Sequence, residues 1–225
     1  MAKLYLAGVG PGGAGLVTLA AKRAAETADV VAYPVRERGE KSAALDIISG
    51  AADIKETCEL VFPMSAPEAE RKRARHAAAE KLAALLSENK TVCMVTLGDV
   101  SVYSTCGYVR GFVESAGFET ETIPGITSFS AAAAAAGVNL CEGNESVAVV
   151  SGVRGAAELE RLVDGFDTVV VMKAARSMGI IYETLKKRGL LETSFAARSV
   201  GMDGGGIFPV SPNESGYFTT VIIKK

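Results

Sequence analysis

The sequence predicts an α/β protein of two α/β domains, with a mostly parallel N-terminal sheet and a mixed C-terminal sheet that ends in an antiparallel tail. Three observations predict it. Short apolar runs of strand length alternate with amphipathic or alanine-rich stretches of helix length along most of the chain, the pattern of a parallel sheet covered by helices. Glycine or proline closes most of those runs and supplies the turns. Beyond Gly204 two strand-like runs follow one another with only turn residues between them.

In order, residues 4–9 form an apolar strand closed by glycines, and residues 16–28 read as a helix. Residues 30–33 form a second strand that Pro34 should stop. A helix over 43–49 and a strand over 58–62 follow, the latter ended by Pro63. Residues 68–86 make the longest helix, with Ala74, Ala77, Ala78, Leu82 and Leu85 on one face. A buried-type strand over 91–97, a helix over 108–115 and a strand over 119–123 complete the first domain, 1–123. The second domain, 124–225, opens with a helix over 128–136 that Gly137 caps. Its six-alanine run favours helix and lets backbones approach closely. Strands over 146–150, 168–172 and 194–200 alternate with helices over 156–163 and 180–188. The tail strands are 207–210 and 217–223, joined by Ser211, Pro212, Asn213 and Gly216.

Composition narrows the function. Of 225 residues, 48% are hydrophobic and 22% charged, which builds an ordinary core and rules out a disordered chain. A net charge of −2 argues against a nucleic-acid partner. No apolar run is long enough to span a bilayer and the chain enters a strand at once, so a soluble cytoplasmic protein with no membrane partner is expected. Cys58, Cys93, Cys106 and Cys141 form no C-x-x-C pair, and His76 is the only histidine. No zinc site is expected, the thiols read as reduced and mostly buried, and His76 reads as a solvated helix residue beside Arg71, Lys72, Arg73 and Arg75. Mechanisms that need two histidines are excluded.

Three glycine-bearing loops carry the functional signal. Gly8-Val9-Gly10-Pro11-Gly12-Gly13-Ala14-Gly15 follows the first strand and satisfies G-x-G-x-x-G in two registers, the position of a dinucleotide fingerprint. That reading also needs an acid at the end of the second strand, where Tyr33-Pro34 stands instead. No Gly-Lys pair exists for a phosphate loop. The second loop runs from Thr96 through Gly98-Asp99 to Tyr103, at a strand's carboxyl end, where open α/β sheets bind ligands. Gly98 admits a flat ligand to the backbone, and Asp99 either accepts from a hydroxyl or ammonium or caps a helix. The third loop is Ile123-Pro124-Gly125-Ile126-Thr127-Ser128, whose hydroxyls suit capping of the alanine helix.

Together, Tyr5-Leu6-Ala7-Gly8-Val9-Gly10-Pro11-Gly12, the Leu97-Gly98-Asp99 to Thr105 loop and Pro124-Gly125-Ile126-Thr127-Ser128-Phe129-Ser130-Ala131 resemble the tetrapyrrole methylases, along essentially the whole chain. Tyr33-Pro34-Val35, Phe62-Pro63-Met64, Ser101-Val102-Tyr103-Ser104-Thr105, Val171-Met172-Lys173 and Tyr217-Phe218-Thr219 resemble the group that methylates C20 of precorrin-2 or cobalt-factor II. The resemblance implies a homodimer in corrin (cobalamin) biosynthesis, with S-adenosyl-L-methionine as methyl donor in a cleft between two α/β domains. It implies donor contacts from Pro11, Leu97, Gly98, Asp99, Val102, Tyr103, Thr127, Ser128 and Met172, with a further wall from residues 200–209. The family usually has Asp where Gly13 stands and Pro where Val100 stands, so both turns should be looser here. Asp99 and Tyr103 are the candidate bases for the C20 proton, and no protein-bound metal is implied. The eight carboxylates of the ring call for cations, for which Arg36, Arg38, Lys173, Arg176 and Arg198 are candidates by their places after strands. The alternatives are methylation at another tetrapyrrole position (uroporphyrinogen III or a later precorrin), an NAD-type oxidoreductase, and a non-catalytic binding relative.

Overall fold

Strand and helix alternate in the computed structural model, which describes residues 2–213, 216 and 218–225. The chain divides into two units, Met1–Thr127 and Ser128–Lys225. In the first, β1 (Lys3–Gly8), β2 (Val30–Val35), β3 (Thr57–Val61), β4 (Val92–Thr96) and β5 (Glu119–Ile123) lie in the order β3-β2-β4-β1-β5. Every pairing is parallel. Helices α1 (Leu19–Thr27), α2 (Ala43–Ser49), α3 (Glu68–Ser87) and α4 (Cys106–Ser115) make the crossovers, as parallel neighbours require. β4 is buried at all five residues, and Leu4, Leu6 and Met94 pack with Leu82, Leu86 and Val109 in the core.

Three local expectations change. The first helix starts at Leu19 rather than 16, because residues 14–16 form a 3-10 turn and Thr18 caps α1 by accepting from Ala21 N at 3.2 Å. Pro34 does not stop β2. Val31 N donates to Glu56 and Phe62 N to Val35, so odd residues of β2 face β3. Pro34 therefore faces the β4 side, where pairing has already ended at Ala32, and no ladder donor is missed. On α3 the buried stripe is Ala78, Ala79, Leu82 and Leu86, while Ala77 is exposed. The leucines at 82 and 86, one turn apart, set the face more strongly than the alanines upstream.

In the second unit, β6 (Val147–Ser151), β7 (Thr168–Met172), β8 (Ser194–Arg198), β9 (Gly206–Pro209) and β10 (Thr219–Lys224) lie in the order β6-β7-β10-β8-β9. β6 and β7 are parallel, and the other pairings are antiparallel. The sheet is thus mixed, but the tail strands are not partners of one another. β10 enters the middle, between β7 and β8, and β9 lies at the edge. Composition explains the exchange: β10 buries its first five residues, whereas β9 carries Pro209 and buries none. Of the expected strand 217–223, Tyr217 lies outside the described residues. β8 ends at Arg198 because Ser199 turns to φ 47°.

Side-chain alternation divides the second core. Val169, Val171, Val221 and Ile223 face α6 (Ala156–Gly165) and α7 (Met178–Arg188), through Leu159, Ile181 and Leu185. Val170, Ala197 and Ile222 face α5 (Ser128–Ala136) through Ala132 and Ala133, so the alanine run serves close helix-to-sheet packing. Ile222 is 1% exposed at the centre of that layer. Ile222→Ala should cost about 2–5 kcal/mol in chemical unfolding, whereas Ile207→Ala on the edge strand should cost less than half as much.

Candidate functional site

The strand order sets β4, β1 and β5 side by side, so the loops at their carboxyl ends are neighbours, about 4.8 Å apart strand to strand. The first two loops are bonded directly. Gly10 N donates to Gly98 O at 3.1 Å and Gly98 N to Gly10 O at 2.7 Å, while Val9 N donates to Thr96 O at 3.0 Å. The third loop touches them through glycine. A Cβ on Gly8 would lie 2.6 Å from Gly98 O and 2.7 Å from Gly125 N, and one on Gly125 would collide with the same backbones. Gly8 and Gly125 therefore let three chain segments meet without side chains between them.

Gly98 itself is different. It is buried and turns through φ 72°, yet a Cβ there would meet no atom within 4 Å. A recess thus borders bare backbone. Around it lie buried Pro11, half-buried Leu97 and Val102, and Tyr103, which is 51% exposed and held at φ 49°. A left-handed backbone at a non-glycine residue is strained by about 1–2 kcal/mol, and such strain gathers at functional loops. Thr127 is half-buried at the end of the third loop, just before α5.

Asp99, only 8% exposed, joins the second loop to the third. One carboxylate oxygen accepts from Ser101 N at 2.8 Å and from the Ser101 hydroxyl, and the other accepts from Gly125 N at 2.8 Å. Burial pushes its carboxyl upward, but the bonds from Ser101, Gly125 and Val100 outweigh this and hold it below its ordinary value. Such a carboxylate stays ionised and takes up a proton poorly at neutral pH. Beyond it, Ser104 Oγ donates to Thr96 Oγ1 at 3.2 Å and accepts from Cys106 N at 3.1 Å, which fixes the start of α4.

The second unit holds the remaining candidates. Ser128 opens α5, and half-buried Met172 ends β7. Lys173 follows at φ 53°, and burial pushes its amine below the usual lysine range. In the segment after β8, Gly205 is pressed against the carbonyls of Ser199 and Arg198, leaving no room for a Cβ. Arg198 lies 4.7 Å from the Phe208 ring and Arg176 is exposed. In the first unit Arg36 is paired with Glu40. His76 is exposed, 3.3 Å from Glu80 and edge-on to Phe112 at 4.9 Å. Burial pushes the Cys93 thiol up to about 12 and Cys106 to about 11, so both stay protonated, and of the four only Cys141 is exposed. Among the described residues no His/Cys/Asp/Glu group is placed to hold a metal, and no helix is long and apolar enough to cross a membrane.

A residue-type reading names Asp99 but not its two jobs, and it misses the Gly8–Gly125 contact and the Ser104–Thr96 bond. Gly8 was visible as a strand-end glycine; nothing in sequence spacing reveals that a residue 117 positions later abuts it. The dinucleotide reading loses its geometry. A helix should start directly after the fingerprint, whereas Val17 is extended and α1 begins at Leu19.

Two α/β units, one with a glycine-walled recess at the carboxyl ends of adjacent parallel strands, define a small-molecule-binding α/β protein. The chain belongs to the tetrapyrrole (corrin/porphyrin) methylases, whose family model matches residues 3–210. Among its relatives, a probable cobalt-precorrin-2 C(20)-methyltransferase of Methanocaldococcus jannaschii is 37% identical over 171 residues, covering 76% of this chain and 72% of that one. The cobalt-precorrin-2 C(20)-methyltransferase of Salmonella typhimurium is 30% identical over 231 residues, covering 99% and 96%. A solved cobalt precorrin-4 methyltransferase has a similar fold, with TM-score 0.75 at 18% identity over 99% of this chain and 94% of that one. So does a uroporphyrin-III C-methyl transferase from Thermus thermophilus complexed with S-adenyl homocysteine, with TM-score 0.69 at 21% identity over 99% and 97%.

Asp99→Asn should cost about 1–3 kcal/mol, because the amide nitrogen must face one of the N–H donors and leave it unmatched. The sign of the pH dependence follows from the lowered folded value. The excess stability of the wild type over the Asn variant should be constant above pH about 5, and should disappear as pH falls below about 4 through that value. Urea titrations of both proteins from pH 3 to 7 check it.

Proposed function

We propose that this chain transfers a methyl group from S-adenosyl-L-methionine to C20 of precorrin-2 or cobalt-factor II, in corrin biosynthesis. The observation that carries the reading is likeness over 99% of the chain to a relative named for that reaction, together with a recess whose walls suit a flat donor. When bound, the donor supplies an activated methyl on a sulfonium centre. The residues that would hold it are Pro11, the backbone of Leu97 and Gly98, Val102, Tyr103, Thr127, Ser128 and Met172. Gly98 fits this task because nothing stands over its α-carbon.

Asp99 supports the site by holding its loop to Gly125 rather than by moving a proton. That leaves Tyr103, of the two candidate bases, on the exposed rim of the recess. The meso carbon of the ring is itself electron-rich, so no covalent nucleophile from the protein is required. Fixed orientation of reacting groups is worth up to about 7–11 kcal/mol, and three cross-bonded loops are a means of fixing it. Cobalt, where present, is carried by the ring as substrate. The same reading makes the working protein a cytoplasmic homodimer, which sedimentation at micromolar concentration examines.

Gly98→Val should fill the recess and lower affinity for S-adenosylhomocysteine by more than tenfold, about 1.4 kcal/mol. Calorimetric titration reads this, with a melting curve to show the variant folded; unchanged affinity in a folded variant removes the recess from the donor site. Regiochemistry tests the substrate. With labelled donor, precorrin-2 should gain one methyl, located at C20 by carbon NMR, and uroporphyrinogen III should remain unmethylated. Misplacement by about an ångström costs on the order of a hundredfold in rate. Two methyls on uroporphyrinogen III, or label at another carbon, would overturn the C20 reading.

A further inference from the structure

The five loops at the carboxyl edge of the first sheet differ sharply in charge. Those after β1 (residues 9–18), β3 (62–67) and β5 (124–127) contain no charged residue, and the one after β4 (97–105) contains only Asp99. Every cation on that edge lies in the loop after β2, residues 36–42, which carries Arg36, Arg38 and Lys41. These three have different tasks. Arg36 is fixed to Glu40, whose carboxylate also accepts from Arg36 N at 3.0 Å. Gly39, turned to φ 74°, donates its N–H to Glu59 on β3 at 2.8 Å, and Ser42 Oγ bonds Pro34 O at 3.0 Å. The loop is thereby anchored at its start, middle and end. Arg38 and Lys41 are exposed on it, and neither has an ion-pair partner among the described residues. Glu37 is the one carboxylate of the loop not engaged in those anchors, so the loop keeps a net positive charge.

The topology gives this loop its meaning. β2 is hydrogen-bonded to β4 on one side and to β3 on the other, so the cationic loop adjoins the recess at Gly98 without forming part of it. The carboxyl edge divides into a part over β4-β1-β5 that holds no cation and only the Asp99 carboxylate, and a cationic part over β2-β3. β3 is followed by buried Phe62, then Pro63 and Met64, and Met64 is 43% exposed. An apolar surface beside two cations that lack acidic partners suits a flat apolar ring with acidic arms.

We infer that Arg38 and Lys41 form a carboxylate clamp that holds the acidic side arms of the ring substrate, while the donor occupies the neighbouring half of the same edge. The inference rests on the proposed tetrapyrrole methylation for its ligand class. Guanidinium and ammonium groups on an anchored loop bind carboxylates through charge-assisted hydrogen bonds, and anchoring reduces the ordering cost of binding.

The test separates ring binding from turnover. Uroporphyrin III, an octacarboxylate ring, and its octamethyl ester are titrated into the wild type, the Arg38→Glu/Lys41→Glu double variant, and a control with the same charge change on α7 (Lys186→Glu/Lys187→Glu). The clamp predicts that the wild type binds the acid and not the ester. It further predicts at least a tenfold loss of acid binding in the first variant, less than a twofold change in the control, and unchanged affinity for S-adenosylhomocysteine in both. Acid binding within twofold of wild type in the first variant, or an equal loss in the control, overturns it. Methylation is assayed alongside. If C20 is not methylated but ring binding still depends on Arg38 and Lys41, the activity reading falls and the clamp stands. If C20 is methylated and ring binding ignores both residues, only the clamp falls.

Discussion

The bond from Gly125 N to the Asp99 carboxylate ties the end of β5 to the loop after β4, across the intervening β1. Everything at the recess depends on that span. β1 can be crossed only because Gly8 presents no side chain, and Gly125 can approach only because it presents none either. The two bonds between Gly10 and Gly98 close the remaining side. A buried carboxylate is costly unless its oxygens are matched, and here both oxygens accept from groups that the loops need to place. The charge thus fixes backbone, and the same bonds favour its ionised form.

Rigidity at this point suits the proposed recognition of a donor. Gly98 is held in a left-handed turn by partners on both sides, and it leaves open space where any other residue would carry a Cβ. Of the two departures that the resemblance implies, Gly13 falls outside the bonds that close the knot, whereas the backbone of Val100 is among the groups bonded to Asp99. Gly13 takes an extended conformation ahead of the 3-10 turn, and Leu16 N bonds back to its carbonyl. Val100 packs against the apolar core, so a hydrophobic contact steadies the loop where a proline ring would otherwise restrict it.

The parallel first sheet was legible because β1 to β4 are largely apolar runs separated by helix-length segments and polar β5 is marked by the Pro124-Gly125 that ends it, and these signals are local. The position of β10 was not, because the sequence places it last and beside β9, whereas burial on both faces of Val221-Ile222-Ile223 draws it to the sheet's centre. The same distinction holds at the site. Gly8, Gly98, Asp99 and Gly125 stand out as residue types at strand ends, and the resemblance gathers them into one family. Their contacts depend on strand order, which no spacing encodes. Lys173 and Ser199, both in left-handed turns after β7 and β8, carry no residue-type signal for that conformation. Pro34 shows the converse error: a local rule about proline fails because the ladder it would interrupt has already ended.

A crystal structure with bound S-adenosylhomocysteine tests together the structural task of Asp99 and the proposed contact of Gly98 with the donor. Ligand density is expected against the α-carbon of Gly98, with the Asp99 carboxylate still accepting from Gly125 N and Ser101 N. Density elsewhere, or an Asp99 side chain turned away from Gly125 to bond the ligand, would contradict this arrangement.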